Sequence, residues 1–408
     1  MMASLKSVNT LLIAIFVLMG GSGFLSTLIA IRLEQAGQGA LVIGLVATAY
    51  FAGLTLGALK VAGLIARVGH IRAFAAFVSL YSATALLYGV FENAALWTVL
   101  RLVDGFVMSG VFVCLESWLN RVARPETRSG ILAAYMIALY AGQAVGQFLL
   151  NLSDEGPALP FMASAVLLSL SVLPVALTRI EQPVLEDVAP FSLGRLYHVS
   201  PLGIVGTAGT GMMLGAFYAL GAVFVQRIGL PLSQVALFTS SVIAGGVAMQ
   251  YPLGRLSDRF DRRRVIVWCL IGTAILCGAL AFVREAGAVF LVGALFGGFS
   301  FALYPLCVAH LNDHLDESER VGASSGLVLV YSVGAAAGPM AGSVAMAAFG
   351  PAGLFAAIGI MAVLAAGFGL WRSAVSAPVP SDEQQDFQAL PRTTPMAAVL
   401  EDESEART

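Results

Sequence analysis

The chain has 408 residues, 58% of them hydrophobic and only 11% charged, with a mean hydropathy of +0.87 and a formal net charge of −2. So little polar surface cannot cover a water-soluble body of this size, and the solvent of most of the chain is therefore lipid. A near-neutral balance with no basic stripe interleaved with aromatics argues against nucleic acid, and four cysteines (Cys114, Cys269, Cys277, Cys307) inside apolar runs imply no disulfide framework.

A helix crossing the hydrocarbon needs roughly 20 apolar residues. Charge-poor runs of that length occur at 7–31, 35–59, 73–91, 93–119, 129–153 and 156–178, predicting spans 1 to 6. The first has no small-residue cleavage site followed by a soluble domain, so it reads as a span and not as a secretory signal. The second half supplies spans 7 to 10 at 196–226, 228–254, 265–283 and 286–312. The last run, 321–371, is too long for one helix and divides into spans 11 and 12 at the turn Gly350-Pro351-Ala352-Gly353. The expected architecture is an all-α polytopic membrane protein of twelve transmembrane helices in two six-helix bundles, residues 1–178 and 199–373. The stretch 179–198, broken by Glu181, Pro183, Glu186, Asp187 and Pro190, reads as a linker, and 374–408, with four prolines and seven acids, as a disordered tail. Placing both termini inside puts 18 of the 22 Lys and Arg in cytoplasmic segments, the orientation that the positive-inside rule favours.

The two halves repeat at an offset of 192 residues. Arg67 pairs with Arg259, Arg128 with Arg320, Gly23 with Gly215, Gly53 with Gly245, Gly105 with Gly297, Gly130 with Gly322, Gly142 with Gly334 and Gly146 with Gly338. A duplicated six-helix unit is the simplest reading, and two like bundles that move against each other can carry a solute across a bilayer.

The loop after span 8 runs from Gly254 to Arg264 as Gly-Arg-Leu-Ser-Asp-Arg-Phe-Asp-Arg-Arg-Arg, and its counterpart after span 2 runs from Ala62 to Arg72. Span 4 contains Arg101-Leu-Val-Asp104-Gly105, and span 11 contains Gly334-Ala-Ala-Ala-Gly338-Pro339-Met-Ala-Gly342. These motifs resemble the loop, Arg-x-x-Gln-Gly and Gly-x-x-x-Gly-Pro-x-x-Gly signatures of the major facilitator superfamily. The runs 132–136, 250–256 and 303–305 resemble its YcaD-like bacterial branch. The resemblance covers the chain apart from the tail and implies the superfamily fold, the bacterial cytoplasmic membrane, secondary transport and a cavity lined by spans 1, 4, 7 and 10. Arg67, Gly69, Asp258, Arg259 and Arg262 become gating-loop candidates, in which Asp258 can meet a helix end and pair with an arginine as a latch. The first copy has Ala66 where the acid should stand. The last glycine signature lies in the second half, and span 5 has Gln147 in place of the proline, so antiport does not follow. Gly142, Gly146, Gly334, Gly338, Pro339 and Gly342 are candidates for close helix packing, either where the halves touch and slide or as simple tight packing.

Charge inside a span is costly, which makes Arg101, Asp104 and Glu116, all on span 4, candidates for proton coupling. Arg101 and Asp104 share a helix face and can pair, either as a proton site or as an ion pair that fixes the helix. Glu116 lies near the cytoplasmic end, where it either snorkels or faces the cavity. Tyr135, Tyr140, Gln143, Gln147, Tyr218, Gln250, Tyr304, His310 and Tyr331 are the substrate-cavity candidates, since buried amides and hydroxyls need partners. With no metal-ligand cluster, nucleophile elbow or phosphate loop, neither an enzyme nor a cofactor is expected. The sequence favours a monomeric secondary active transporter of a small organic or amphipathic solute, working by alternating access with proton coupling. An uncoupled facilitator and a non-transporting sensor or assembly partner are the alternatives.

Overall fold

The computed structural model describes residues 2–123, 127–178 and 192–375, followed by 379–380, 384–385, 387–388 and 390–394 of the C-terminal segment. Most of the linker expected at 179–198 lies outside the described residues; its last part forms the short helix Leu193–Val199.

Among the described residues, twelve helices are long and apolar enough to cross a membrane: Val8–Gln35, Ala40–Val68, His70–Val90, Ala94–Val122, Arg128–Asp154 and Leu159–Leu177 in the first half, then Pro201–Arg227, Leu232–Arg259, Arg262–Phe282, Ala286–Asn312, Gly322–Phe349 and Ala352–Val375. In lipid a helix satisfies its own backbone, so an uncharged run of this length has no cheaper state. Among the described residues there is no strand. The turn expected within 321–371 is present: Phe349 ends span 11, and Gly350 takes φ +69°, a conformation for which a side chain would be strained.

Spans 1 and 5 depart from single straight helices. Span 1 divides into Met2–Ser22 and Leu25–Gln35, and span 5 passes from an α-helix, Arg128–Gly146, into a 3₁₀ segment, Gln147–Asp154. The two irregularities meet, because Gly23 lies against Gln143 and its carbonyl accepts from Gln147 Nε2 at 3.1 Å.

The repeat is visible in packing. A Cβ on Gly105 would enter the Tyr50 carbonyl of span 2, and one on Gly297 would enter the Val242 carbonyl of span 8. Gly53 and Gly245 make the reciprocal approaches to Leu102 and Ala294. In the same way Gly142 and Gly146 press on Phe16 and Gly20 of span 1, while Gly334 and Gly338 press on Ala208 and Met212 of span 7. Of the two readings of these last four glycines, the contacts are those of tight packing inside each half and not of a touch between halves: missing side chains let spans 5 and 11 seat on spans 1 and 7 of their own bundles. Gly342 likewise packs on Leu354, Ala216 and Leu220 of its own half.

The halves meet at the end of the bundle remote from the termini. Gly44 of span 2 sits against Ser343 and the Pro339 carbonyl of span 11, and Thr48 Oγ1 donates to the Ala336 carbonyl at 3.0 Å. Ser240 of span 8 donates to the Ala144 carbonyl of span 5 at 2.8 Å. Arg227 grips Glu34 through Nε and a terminal nitrogen, both at 2.8 Å. Outer faces carry exposed Ile275, Phe282, Val363 and Leu364 on spans 9 and 12, as lipid-facing helices should.

A tail lying wholly outside the fold does not hold for its described residues. Phe387 packs on Gly254, and Leu390 and Thr394 are buried. Composition predicts that such a segment cannot form a core of its own; here it borrows one.

Candidate functional site

Between the halves, at the middle of the bundle, lies a cavity of about 150 Å³. Spans 1, 2, 4, 5, 7 and 11 line it through Ser22, Ser26, Tyr50, Met108, Phe112, Tyr140, Gln143, Tyr218 and Tyr331, joined by Pro391, Arg392 and Thr393 of the C-terminal segment. Tyr140, Gln143, Tyr218 and Tyr331, from the set of cavity candidates, are among these lining residues.

Other candidates fall elsewhere. Tyr135 stands behind the wall and donates to Glu116 Oε1 at 2.8 Å. Tyr304 stacks edge-on against Tyr331, with ring centres 5.5 Å apart. Gln147 is spent on the backbone of span 1, and Gln250 is buried in span 8 outside the lining of this cavity. His310 belongs to a second pocket, near the termini, with Arg262, Asp313 and His314.

The three charged groups of span 4 do different things. Asp104, fully buried, accepts from Thr84 Oγ1 at 2.5 Å and Tyr88 Oη at 2.6 Å, and faces Arg101 at 3.5 Å. All its partners belong to the first half, and it does not line the cavity. Arg101 spends itself on Ser26 Oγ at 2.6 Å and lies over the Tyr50 ring at 4.0 Å. A buried guanidinium so satisfied holds spans 1, 2 and 4 together.

Glu116 differs in that its partners span the cavity boundary. Beside Tyr135, its carboxylate accepts from the hydroxyls of Thr393 and Thr394, with a side chain fully shielded from solvent. Above it, the Arg392 guanidinium lies 4.4 Å from the Phe301 ring centre and 5.7 to 6.0 Å from those of Tyr331, Tyr218 and Tyr140. It also donates to Tyr218 Oη at 3.2 Å.

At the terminal end, the loop after span 8 forms a latch with an added occupant. Arg262, buried, donates to Asp313 Oδ1 at 2.5 Å, to Asp258 Oδ1 at 3.1 Å and to the Gln385 carbonyl at 2.6 Å. The same carboxylates accept from the C-terminal segment, Asp313 from Gln385 N and Asp258 from Phe387 N, each at 3.0 Å. Asp261 caps span 9 and chelates Arg263 at 3.0 and 2.9 Å. Burial pushes its carboxyl up, but the Arg263 hydrogen bonds and charge outweigh that and leave it below the ordinary aspartate range. Arg259 and Arg67 are exposed, and Gly69 supplies the turn after span 2 at φ +86°. Among the described residues, this acid–arginine pairing stands in the loop after span 8, whereas the loop after span 2 has Ala66 at the acid position.

Sequence reasoning missed Arg392, Thr393, Thr394, Phe301, Ser26 and the Glu34–Arg227 pair. For the tail there was one signal: apolar Phe387 and Leu390 beside Arg392 in an acidic, proline-rich stretch.

The Major Facilitator Superfamily model matches residues 11–243 and again 202–401. The chain belongs to that superfamily. Within it, this chain is 28% identical to an uncharacterized MFS-type transporter YcaD of Salmonella enteritidis PT4 over 341 residues, covering 82% of this chain and 87% of the relative. A Salmonella arizonae protein of the same name is 27% identical over the same length. Among solved superfamily structures, a point mutant of the nucleoside transporter NupG superposes with a TM-score of 0.78 at 12% identity, covering 91% of this chain and all of that one. A bacterial homolog of the human lysosomal transporter Spinster, inward-facing and unoccupied, superposes at 0.74 with 14% identity, covering 94% and 98%. Both share the two-bundle fold. A multi-pass membrane transporter follows from the family.

Proposed function

We propose that this protein is a secondary active transporter that moves a small organic solute across the bacterial cytoplasmic membrane by alternating access, coupled to protons. The observation that carries this reading is the asymmetry of the contacts between the halves. They are sealed at one end by Gly44–Ser343, Thr48–Ala336, Ser240–Ala144 and Glu34–Arg227, and a cavity lies behind that seal at mid-bundle. The seal combines close packing of span 2 on span 11 with two neutral hydrogen bonds and a partly exposed ion pair, none of them a buried charge pair, so its polar contacts cost little to break when one half rocks against the other. The basic loops put the termini and the latch on the cytoplasmic side, and the protein acts as a monomer.

Of the two buried acids, Glu116 is the coupling residue in this reading. Its hydroxyl partners come from both the first half and the C-terminal segment, so its environment changes when the segment or a solute exchanges. Asp104, held by Thr84, Tyr88 and Arg101 of its own half, serves as a structural anchor.

Spin labels at Leu41→Cys and Val344→Cys, both exposed at the sealed end, test the proposal in lipid nanodiscs; the four native cysteines are buried. Alternating access gives a short and a long distance whose proportions change with pH, and Glu116→Gln removes the pH dependence. One distance at every pH refutes alternating access, while an unchanged pH response in Glu116→Gln refutes the role of that acid.

A further inference from the structure

The cavity contains a clue to its own ligand. Among its described lining residues, Arg392 alone is charged, and it comes from the C-terminal segment rather than from a span. It is enclosed by Phe301, Tyr218, Tyr331 and Tyr140 within 6.0 Å, an aromatic cage whose ring faces present negative potential. The neighbouring hydroxyls of residues 393 and 394 reach the Glu116 carboxylate. With the segment withdrawn, the wall presents tyrosine faces, the hydroxyls of Ser22, Ser26 and Ser332 and the Gln143 amide among apolar side chains such as Met108 and Leu139, with Phe301 and the buried Glu116 carboxylate behind it. Among the described residues, the nearby Arg101 is committed to Asp104, Ser26 and Tyr50. Such a wall is electronegative, and whatever replaces the segment has to bring the positive charge with it.

We infer that the cavity recognises a small organic monocation, a guanidinium or alkylammonium carrying hydrogen-bond donors, and that residues 391–394 are a tethered competitor occupying the same place. The cage takes the cationic head and Glu116 takes the donor arm, as Arg392 and the two threonines do now. The tether is held at the rim, where Asp258, Arg262 and Asp313 bind the backbone of Gln385 and Phe387 without reading their side chains. Because the segment is covalently attached, its effective concentration at the cavity is high and a free cation has to displace it. This inference rests on the cavity being the transport site and names the solute class that it takes.

The test is binding of n-butylguanidinium, with n-butylurea as its uncharged counterpart of the same shape, to the full-length chain in nanodiscs by isothermal titration. Arg392→Gln removes the competing head without touching any span, and Arg392→Lys keeps a cation in the cage. The expected result is at least tenfold tighter n-butylguanidinium binding to Arg392→Gln than to the native chain or to Arg392→Lys. No comparable gain is expected for n-butylurea, and most of the gained affinity should vanish when Glu116→Gln or Tyr218→Ala is added. Equal binding of the two probes, or equal affinity in native and Arg392→Gln proteins, overturns the inference. The labels at Leu41→Cys and Val344→Cys report separately: two distances without cation binding leave the transporter reading standing and remove only the solute class.

Discussion

Gly44 is where one methyl group should change which way the protein faces. An alanine Cβ there would lie 2.5 Å from Ser343 Oγ, 2.7 Å from Ser343 Cβ and 2.9 Å from the Pro339 carbonyl oxygen. Ser343 Oγ can rotate, since its one bond is to the Met340 carbonyl of its own helix at 2.9 Å. The Pro339 carbonyl is backbone and cannot. Ordinary contact begins near 3.4 Å, so spans 2 and 11 must separate by about 0.5 Å at this point. Overpacking of this kind costs roughly 1 to 3 kcal/mol. The penalty falls only on the state sealed at this end, while the gain in helix propensity from Gly to Ala is shared by both states and cancels. The ratio of open to sealed molecules at this end should therefore rise about 5- to 150-fold. With labels at Leu41→Cys and Val344→Cys, Gly44→Ala should move the distance distribution towards the longer component, and adding Ser343→Gly should return part of it. Gly278→Ala, at a glycine with open space around its missing Cβ, is the control and should leave the distribution unchanged. Should Gly44→Ala give the native distribution, the contact is not the seal that it is taken to be.

Three further outcomes can be checked by thermal melts in detergent. Arg262→Ala leaves Asp313, whose side chain is 1% exposed, without its buried partner and should cost about 3 to 5 kcal/mol, while Arg259→Ala, an exposed site in the same loop, should change stability by less than about 0.5 kcal/mol. Asp104→Asn strips the charge that compensates buried Arg101 and should be destabilising by a similar 3 to 5 kcal/mol, whereas a protein that melts normally but loses its pH response would make Asp104 the coupling acid instead. Asp261 titrates in the folded state below its ordinary aspartate value of about 3.9, so its contribution is complete above that pH and is lost as pH falls through the lowered value; native and Asp261→Asn melts should differ equally at pH 7 and pH 5 and converge only below about pH 4.

The spans were legible because lipid leaves so few options: an uncharged run of about 20 residues must satisfy its backbone internally, and helices do so regardless of their neighbours. The Gly350 turn was legible for a similarly local reason, a Gly-Pro pair inside a run too long for one crossing. Facing was not legible. The sequence could pair Arg101 with Asp104 and set Glu116 nearer the helix end, but not show that one acid is saturated by Thr84 and Tyr88 while the other meets Thr393 of the cavity lining, a difference set by which side of span 4 meets span 3. The helix-packing glycines were found, but their partners were not, because close approach is a property of two helices and the sequence displays one at a time. The C-terminal segment was misread for the opposite reason. Its composition rules out an independent core, but Phe387 and Leu390 are ordered by surfaces that the spans had already built.

That segment joins two features which the sequence showed only apart. The loop after span 8 has the residues of a latch, and in the folded chain Asp258, Arg262 and Asp313 do pair, but each also spends a hydrogen bond on the backbone of residues 385 or 387. From that rim the chain runs inward to Arg392, caged by Tyr218, Phe301 and Tyr331 of the second half and Tyr140 of the first, and on to the hydroxyls at Glu116 of the first. A segment anchored to both halves at once binds only the arrangement in which those anchors are the right distance apart. It therefore stabilises that arrangement by its own differential affinity. In the proposed mechanism whatever displaces it releases the halves to rock, and solute entry and the freedom to change conformation become one event, because the same cage and the same carboxylate would serve both.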